Sequence, residues 1–193
     1  ALADEVTKRG GTPLDPLVYK RIYLERLNQR IAHRLEELRG GHVPPEKYLV
    51  PGAKPLLEAL RDRGLKMYLA SGTDQVYMRE EARLLGVDVY FEGGVFGALD
   101  DYKSFSKRIL IQRLIASAEV RGTEFLGFGD GYVEIENIKE VDGVAVGVAT
   151  KEPECLEVDP WKRTRLAGVG ADFIVPNFLK HEELMCLLFS NGQ

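Results

Sequence analysis

The sequence has little that could crosslink it or hold a soft metal: two cysteines, Cys155 and Cys186, and three histidines, His33, His42 and His181, among 193 residues. With no Cys-x-x-Cys pair, a disulfide framework and a structural zinc site are both excluded, and the thiols fit a reducing cytoplasm. Long apolar runs are missing too. The longest span about six to eight residues, against the ~20 that a bilayer-crossing helix needs. Asp4 and Glu5 stand where a targeting segment would be basic and then apolar, so no membrane partner is expected. Positive charge is not in excess: 26 Lys and Arg face 30 Asp and Glu, for a net charge of −4. No basic stripe interleaved with aromatics is present, which argues against nucleic acid as a partner. No Gly-x-Gly-x-x-Gly opens a helix after a strand, which removes the dinucleotide-binding reading. What remains is ordinary globular usage, 45% hydrophobic and 29% charged, in a length that suits one domain with an appendage.

The appendage lies at the front. Asp15-Pro16 is an N-cap followed by proline in the first helical turn, and Leu24, Leu27, Ile31, Leu35 and Leu38 recur at helical spacing until Gly40-Gly41. Arg21, Glu25, Arg30 and Arg34 fall on the polar face, which reads first as a solvated surface. Residues 1–47 are therefore read as a helical segment and residues 48–193 as the main domain. From Pro51 the texture becomes short helices alternating with short apolar strands. Helices are expected over Leu56 to Arg63, from Gln75 to Gly86, near Ser106, Gly131 and Pro160, and over His181 to Phe189. Strands are expected over Leu65–Ala70, Glu124–Phe128, Val144–Ala149 and Asp172–Val175, whereas glycine-rich Val89–Ala98 reads as a hairpin or flap beside the sheet. This alternation is the pattern of an α/β fold, a parallel sheet with helices on both faces.

Ligands of such sheets bind beyond the carboxyl ends of the strands. Ser71-Gly72-Thr73 follows the first expected strand and offers a hydroxyl and backbone N–H groups to an anion. Gly129-Asp130-Gly131 follows another, with Glu134 four residues beyond Asp130, and Lys107 opens the helix after Ser106. Hydroxyl, lysine and two carboxylates are the groups phosphoryl transfer with a hard divalent cation requires, because Mg²⁺ keeps several waters and takes only one or two protein carboxylates. Asp142 reads as a turn residue before a strand.

In KMYLASGT, then SKRILIQRLI, then FLGFGDGYVE, the chain resembles the haloacid dehalogenase-like superfamily of phosphohydrolases. Ser71 matches the hydroxyl that ends that family's second-motif strand. Lys107, 23 residues before Asp130, matches its third-motif lysine better than the more distant Lys103, and Asp130 with Glu134 matches its fourth motif. Pro51-Gly52, Tyr90-Phe91 and Gly170-Ala171-Asp172 agree with it as well, over about residues 48 to 180. The resemblance implies a Rossmann-like core with a small helical cap, Mg²⁺ as cofactor, phosphate bound by Ser71, Gly72, Thr73 and Lys107, and metal held by Asp130 and Glu134.

One family element is missing. The nucleophile motif Asp-x-Asp, which ends the family's first strand, occurs nowhere in this sequence. Asp100-Asp101 is adjacent and misplaced, Asp88 follows a helix-ending glycine, and Asp4 follows only three residues. The expected function is therefore a Mg²⁺-dependent phosphatase of a small phosphorylated metabolite, working through an aspartyl phosphate whose aspartate lies upstream of Ala1, with the 193 residues alone inactive. A phosphomutase and a non-catalytic domain that binds a phosphorylated ligand or partner are the alternatives. The same resemblance makes the missing strand central, so the strand ending at Ser71 and the one ending at Phe128 are expected to be separated by two strand spacings, roughly 9–10 Å.

Overall fold

A computed structural model describes residues 2–98, 107–118 and 120–189. The chain divides into two compact units, Ala1–Pro44 and Pro45–Gln193.

The first unit is helical. Helix α1 spans Leu2–Lys8, which the sequence reading did not anticipate, and α2 spans Pro16–Arg39. The Asp15 carboxylate accepts from the Leu17 N–H at 2.8 Å and satisfies one of the donors left open at the helix start. At the other end Gly41 adopts φ +64° and its N–H donates to the Leu38 carbonyl, a left-handed stop that a side chain would strain. Leu24, Leu27, Ile31, Leu35 and Leu38 are the half-buried stripe of α2, while Arg21, Glu25, Arg30 and Arg34 are exposed.

The second unit alternates helix and strand: α3 (Ala53–Asp62), β1 (Leu69–Asp74), α4 (Gln75–Leu84), β2 (Val95–Ala98), α5 (Lys107–Ala118), β3 (Leu126–Gly129), α6 (Tyr132–Lys139), β4 (Val144–Val148), α7 (Pro160–Gly168), β5 (Phe173–Val175) and α8 (His181–Phe189). Among the described residues the three strand ladders are parallel, an arrangement that the helical crossovers between strands make possible. Flanked by its helices, this is the Rossmann-like α/β architecture expected. Strand order is β3-β4-β5 in one sheet and β1-β2 in another. Each sheet has its own core. Ile135 and Ile138 of α6 and Leu166 of α7 close over Ala145 and Ala149, with Phe125 and Ile174 packed against them. Ala82, Val87 and Tyr90 form the other cluster, with Leu57, Met67, Leu69 and Met78 around it.

Two sequence expectations are corrected. The first strand begins at Leu69 and runs to Asp74; just ahead of it the Gly93 N–H donates to the Met67 carbonyl at 2.9 Å, leading into the β1–β2 pairing, and the Tyr68 ring covers Gly93, where a Cβ would stand 2.3 Å away. The segment read as a hairpin or flap supplies β2, a parallel partner of β1, after a short turn at Asp88–Tyr90. Asp142, at φ +61°, is the turn residue expected.

Among the described residues no ladder joins β1 to β3.

Candidate active site

At the end of β1 the backbone leaves regular pairing. Ser71 is half-buried in a bulge between Ala70 and Asp74, and the Thr73 N–H donates to its Oγ at 3.1 Å. Gly72 is exposed, with open space where a Cβ would be. The sequence placed Ser71-Gly72-Thr73 after the strand; the bulge puts them within it. Gln75, the first residue of α4, joins this region through its side chain: Nε2 donates to the Val95 carbonyl at 3.0 Å and Oε1 accepts from the Gly97 N–H at 2.7 Å. Sequence reasoning missed it, since an isolated glutamine carries no motif.

The end of β3 is built from glycine. Asp130 is exposed just past the strand, and Gly131 precedes α6 as its N-cap. Glu134 sits in the first turn of α6, where a carboxylate complements the helix dipole. Its side chain folds back over the turn. A Cβ at Gly131 would lie 2.1 Å from Glu134 Oε2, and one at Gly129 would lie 2.7 Å from Glu134 Cβ. Gly131 thus leaves the room that the carboxylate occupies and Gly129 the room for its Cβ, in the turn that follows Asp130. Two carboxylates around one turn are a donor set that suits Mg²⁺. Among the described residues no group of three or more His, Cys, Asp or Glu is placed to hold a metal ion.

Neighbouring loops converge on β3. Phe128 meets Phe178 edge to face, with ring centroids 5.9 Å apart. The Phe178 N–H donates to the Pro51 carbonyl at 2.8 Å, and Gly52, at φ +80°, lets the backbones touch. Beside the turn, Arg165 lies between the Tyr132 and Trp161 rings, 4.5 and 4.4 Å from their centroids. The signal for it was available, since Trp161 and Arg165 are one helical turn apart on α7. Lys107 begins α5 as expected, while its side chain, Lys103 and Ser106 lie outside the described residues.

A sequence model of the haloacid dehalogenase-like hydrolases matches residues 18–142, more than half of the chain. The chain belongs to this family. Solved structures share the fold at low identity. A predicted phosphatase from Clostridium acetobutylicum is 18% identical with a TM-score of 0.57, over 70% of this chain and 59% of that one. A predicted phosphoglycolate phosphatase from Haemophilus somnus is 15% identical with a TM-score of 0.62, over 95% of this chain and 73% of that one. A β-phosphoglucomutase from Clostridium difficile is 17% identical with a TM-score of 0.53, over 74% of this chain and 57% of that one. The chain thus spans about three fifths of the length of the first and last of these relatives. No curated protein matches it. Among the described residues no helix is long and apolar enough to cross a membrane.

Proposed function

We propose that this haloacid dehalogenase-like chain is the greater part of a Mg²⁺-dependent phosphatase acting on a small phosphorylated metabolite. The observation that carries the reading is the turn at the end of β3, where Gly129 and Gly131 make room for the Glu134 side chain just after Asp130. Asp130 and Glu134 would hold the Mg²⁺, which when bound supplies charge neutralisation at the phosphoryl oxygens. Ser71 would donate its hydroxyl to a phosphoryl oxygen, with Gly72 offering its N–H group and Lys107 its ammonium, while the Thr73 N–H, already donated to Ser71 Oγ, would hold that hydroxyl in place. The hydroxyl, the Gly72 N–H and the ammonium are preset donors where charge builds as phosphorus is attacked. The nucleophile is assigned to an aspartate outside these 193 residues, on a strand entering between the unpaired edges of β1 and β3. It would form an aspartyl phosphate with release of the leaving group, and water would then cleave that acyl phosphate to inorganic phosphate and the free carboxylate.

The test compares two proteins against a generic aryl phosphate with Mg²⁺. The 193-residue chain is expected to be inactive, and a longer product carrying an upstream Asp-x-Asp strand active, with the activity lost in Asp130→Asn. Robust turnover by the 193-residue chain that depends on Asp130 would show a nucleophile inside it. Failure of the longer product to hydrolyse any ester while still binding phosphate would favour the non-catalytic alternative. The fold shared with a β-phosphoglucomutase supports a phosphomutase as the second reading, distinguished by transfer of the phosphoryl group to a sugar in place of water.

A further inference from the structure

The β1–β2 ladder is interrupted where the phosphate is proposed to bind. Its pairings run Leu69 with Val95, Ala70 with Phe96, then Asp74 with Ala98. Between the last two, β1 advances four residues while β2 advances two, so Ser71-Gly72-Thr73 carries the excess and is pushed out of the ladder. A loop extruded in this way needs something to define where it ends.

Gln75 supplies that definition. The Leu69 N–H donates to the Gly94 carbonyl at 3.0 Å, so the even-numbered residues of β2 face β1. The Val95 carbonyl and the Gly97 N–H, one residue out of step, face the opposite edge. Both are taken by the Gln75 side-chain amide, at 3.0 and 2.7 Å, the pair of bonds a residue in an adjoining parallel strand would make. The chain reaches that edge by crossing over Gly97. A Cβ there would lie 2.4 Å from Gln75 N and Cα and 2.6 Å from the Thr73 carbonyl oxygen, so only glycine permits the crossing. The bulge is thus anchored at Ala70 by the ladder and at Gln75 by the side-chain clamp.

We infer that Gln75 is a positioning residue: by clamping β2 it fixes where the Ser71 hydroxyl stands for the phosphoryl group. This rests on the reading of Ser71 as a phosphate ligand. Removing the amide leaves the Gly97 N–H and the Val95 carbonyl without their partner and frees the end of the bulge.

The experiment measures the affinity of the protein, produced from its intact reading frame, for inorganic phosphate with Mg²⁺, alongside amide hydrogen exchange at Gly97. In Gln75→Ala, exchange at Gly97 is expected to speed up and phosphate affinity to fall about tenfold, in line with a lost positioning hydrogen bond. In a Ser71→Ala background the same change should have no further effect on phosphate, because Gln75 acts through Ser71. In Gln75→Glu a protonated carboxyl can again donate and accept, so the ratio of variant to wild-type affinity should rise as pH falls through the carboxylate range. If Ser71→Ala weakens phosphate while Gln75→Ala, with Gly97 exchanging faster, stays within about twofold of wild type, the role of Gln75 is overturned. If Ser71→Ala itself changes nothing, or the wild type binds no phosphate, the reading of the site is overturned instead. Should Gln75→Ala fail to fold, a pH-independent ratio in Gln75→Glu overturns the inference.

Discussion

Glu134 and Gly131 exclude each other's space: a methyl group at Gly131 would stand 2.1 Å from Glu134 Oε2. The carboxylate lies where it does because residue 131 has no side chain. Gly131→Ala should push Glu134 off the turn and lower Mg²⁺ affinity about tenfold, the scale of losing a supporting group of a metal site. Calorimetric titration with Mg²⁺ checks this, and an unchanged affinity in a folded Gly131→Ala would remove Glu134 from the metal site.

Asp130 is exposed at the end of β3, so its substitution should cost little stability. Asp130→Asn keeps the shape and removes the charge. Mg²⁺ affinity is expected to fall more than in Gly131→Ala while the thermal midpoint stays close to wild type. A large loss of stability with intact metal binding would make Asp130 a structural residue.

Away from the site, Lys139 and Asp172 give the sheet a pH-dependent tie. The Asp172 carboxylate accepts from Lys139 Nζ at 2.8 Å and from the Ala145 N–H at 2.7 Å, binding α6 and the start of β5 to β4. Burial alone would raise its pKa, but the Lys139 ammonium and the Ala145 N–H outweigh burial and hold it below the ordinary aspartate value. A carboxyl depressed in the folded state stabilises above its unfolded pKa, and that contribution is lost as pH falls through the folded pKa. Asp172→Asn should therefore cost about 1 kcal/mol at neutral pH, modest because the pair is partly solvated. The cost should vanish in strong acid, read from denaturant midpoints on both sides of the carboxylate range.

Gly52 is constrained twice, by φ +80° and by the Phe178 carbonyl carbon 2.2 Å from where its Cβ would be. Gly52→Ala should destabilise by at least ~2 kcal/mol, from the left-handed backbone and the forced parting of two chains. Thermal melting checks it, and a loss below about half that figure would mean that the loop at Phe178 yields freely.

Much of this was legible before the structure. Asp15-Pro16 announced α2, and the leucine and isoleucine spacing identified its half-buried stripe, because capping and periodicity are local. The Gly-Asp-Gly turn and Glu134 were legible for the same reason, as a strand end and a helix start only a few residues apart. What was misread depends on contacts distant in sequence. Leu65 to Tyr68 have strand composition, yet regular pairing opens only at Leu69, where β2 becomes available as a partner, and it extends to Asp74. Glycines 93, 94 and 97 suggested a flap, whereas Gly97 is glycine because the chain leaving β1 crosses it. Gln75 was invisible because a side chain standing in for a strand leaves no pattern along the sequence.

The separate cores of the two sheets have a consequence for how the protein breathes. Strand β4, buried and flanked on both sides, belongs to the part that should open only with global unfolding, whereas a two-stranded sheet has little independent stability. Amides of β1 and β2 should then exchange faster than those of β4, and mild denaturant should loosen the end of the site that carries Ser71 while the turn carrying Asp130 stays formed. In these 193 residues Ser71 and Asp130 thus belong to two different cooperative units, and on the proposed assignments a strand entering between β1 and β3 would merge them into one.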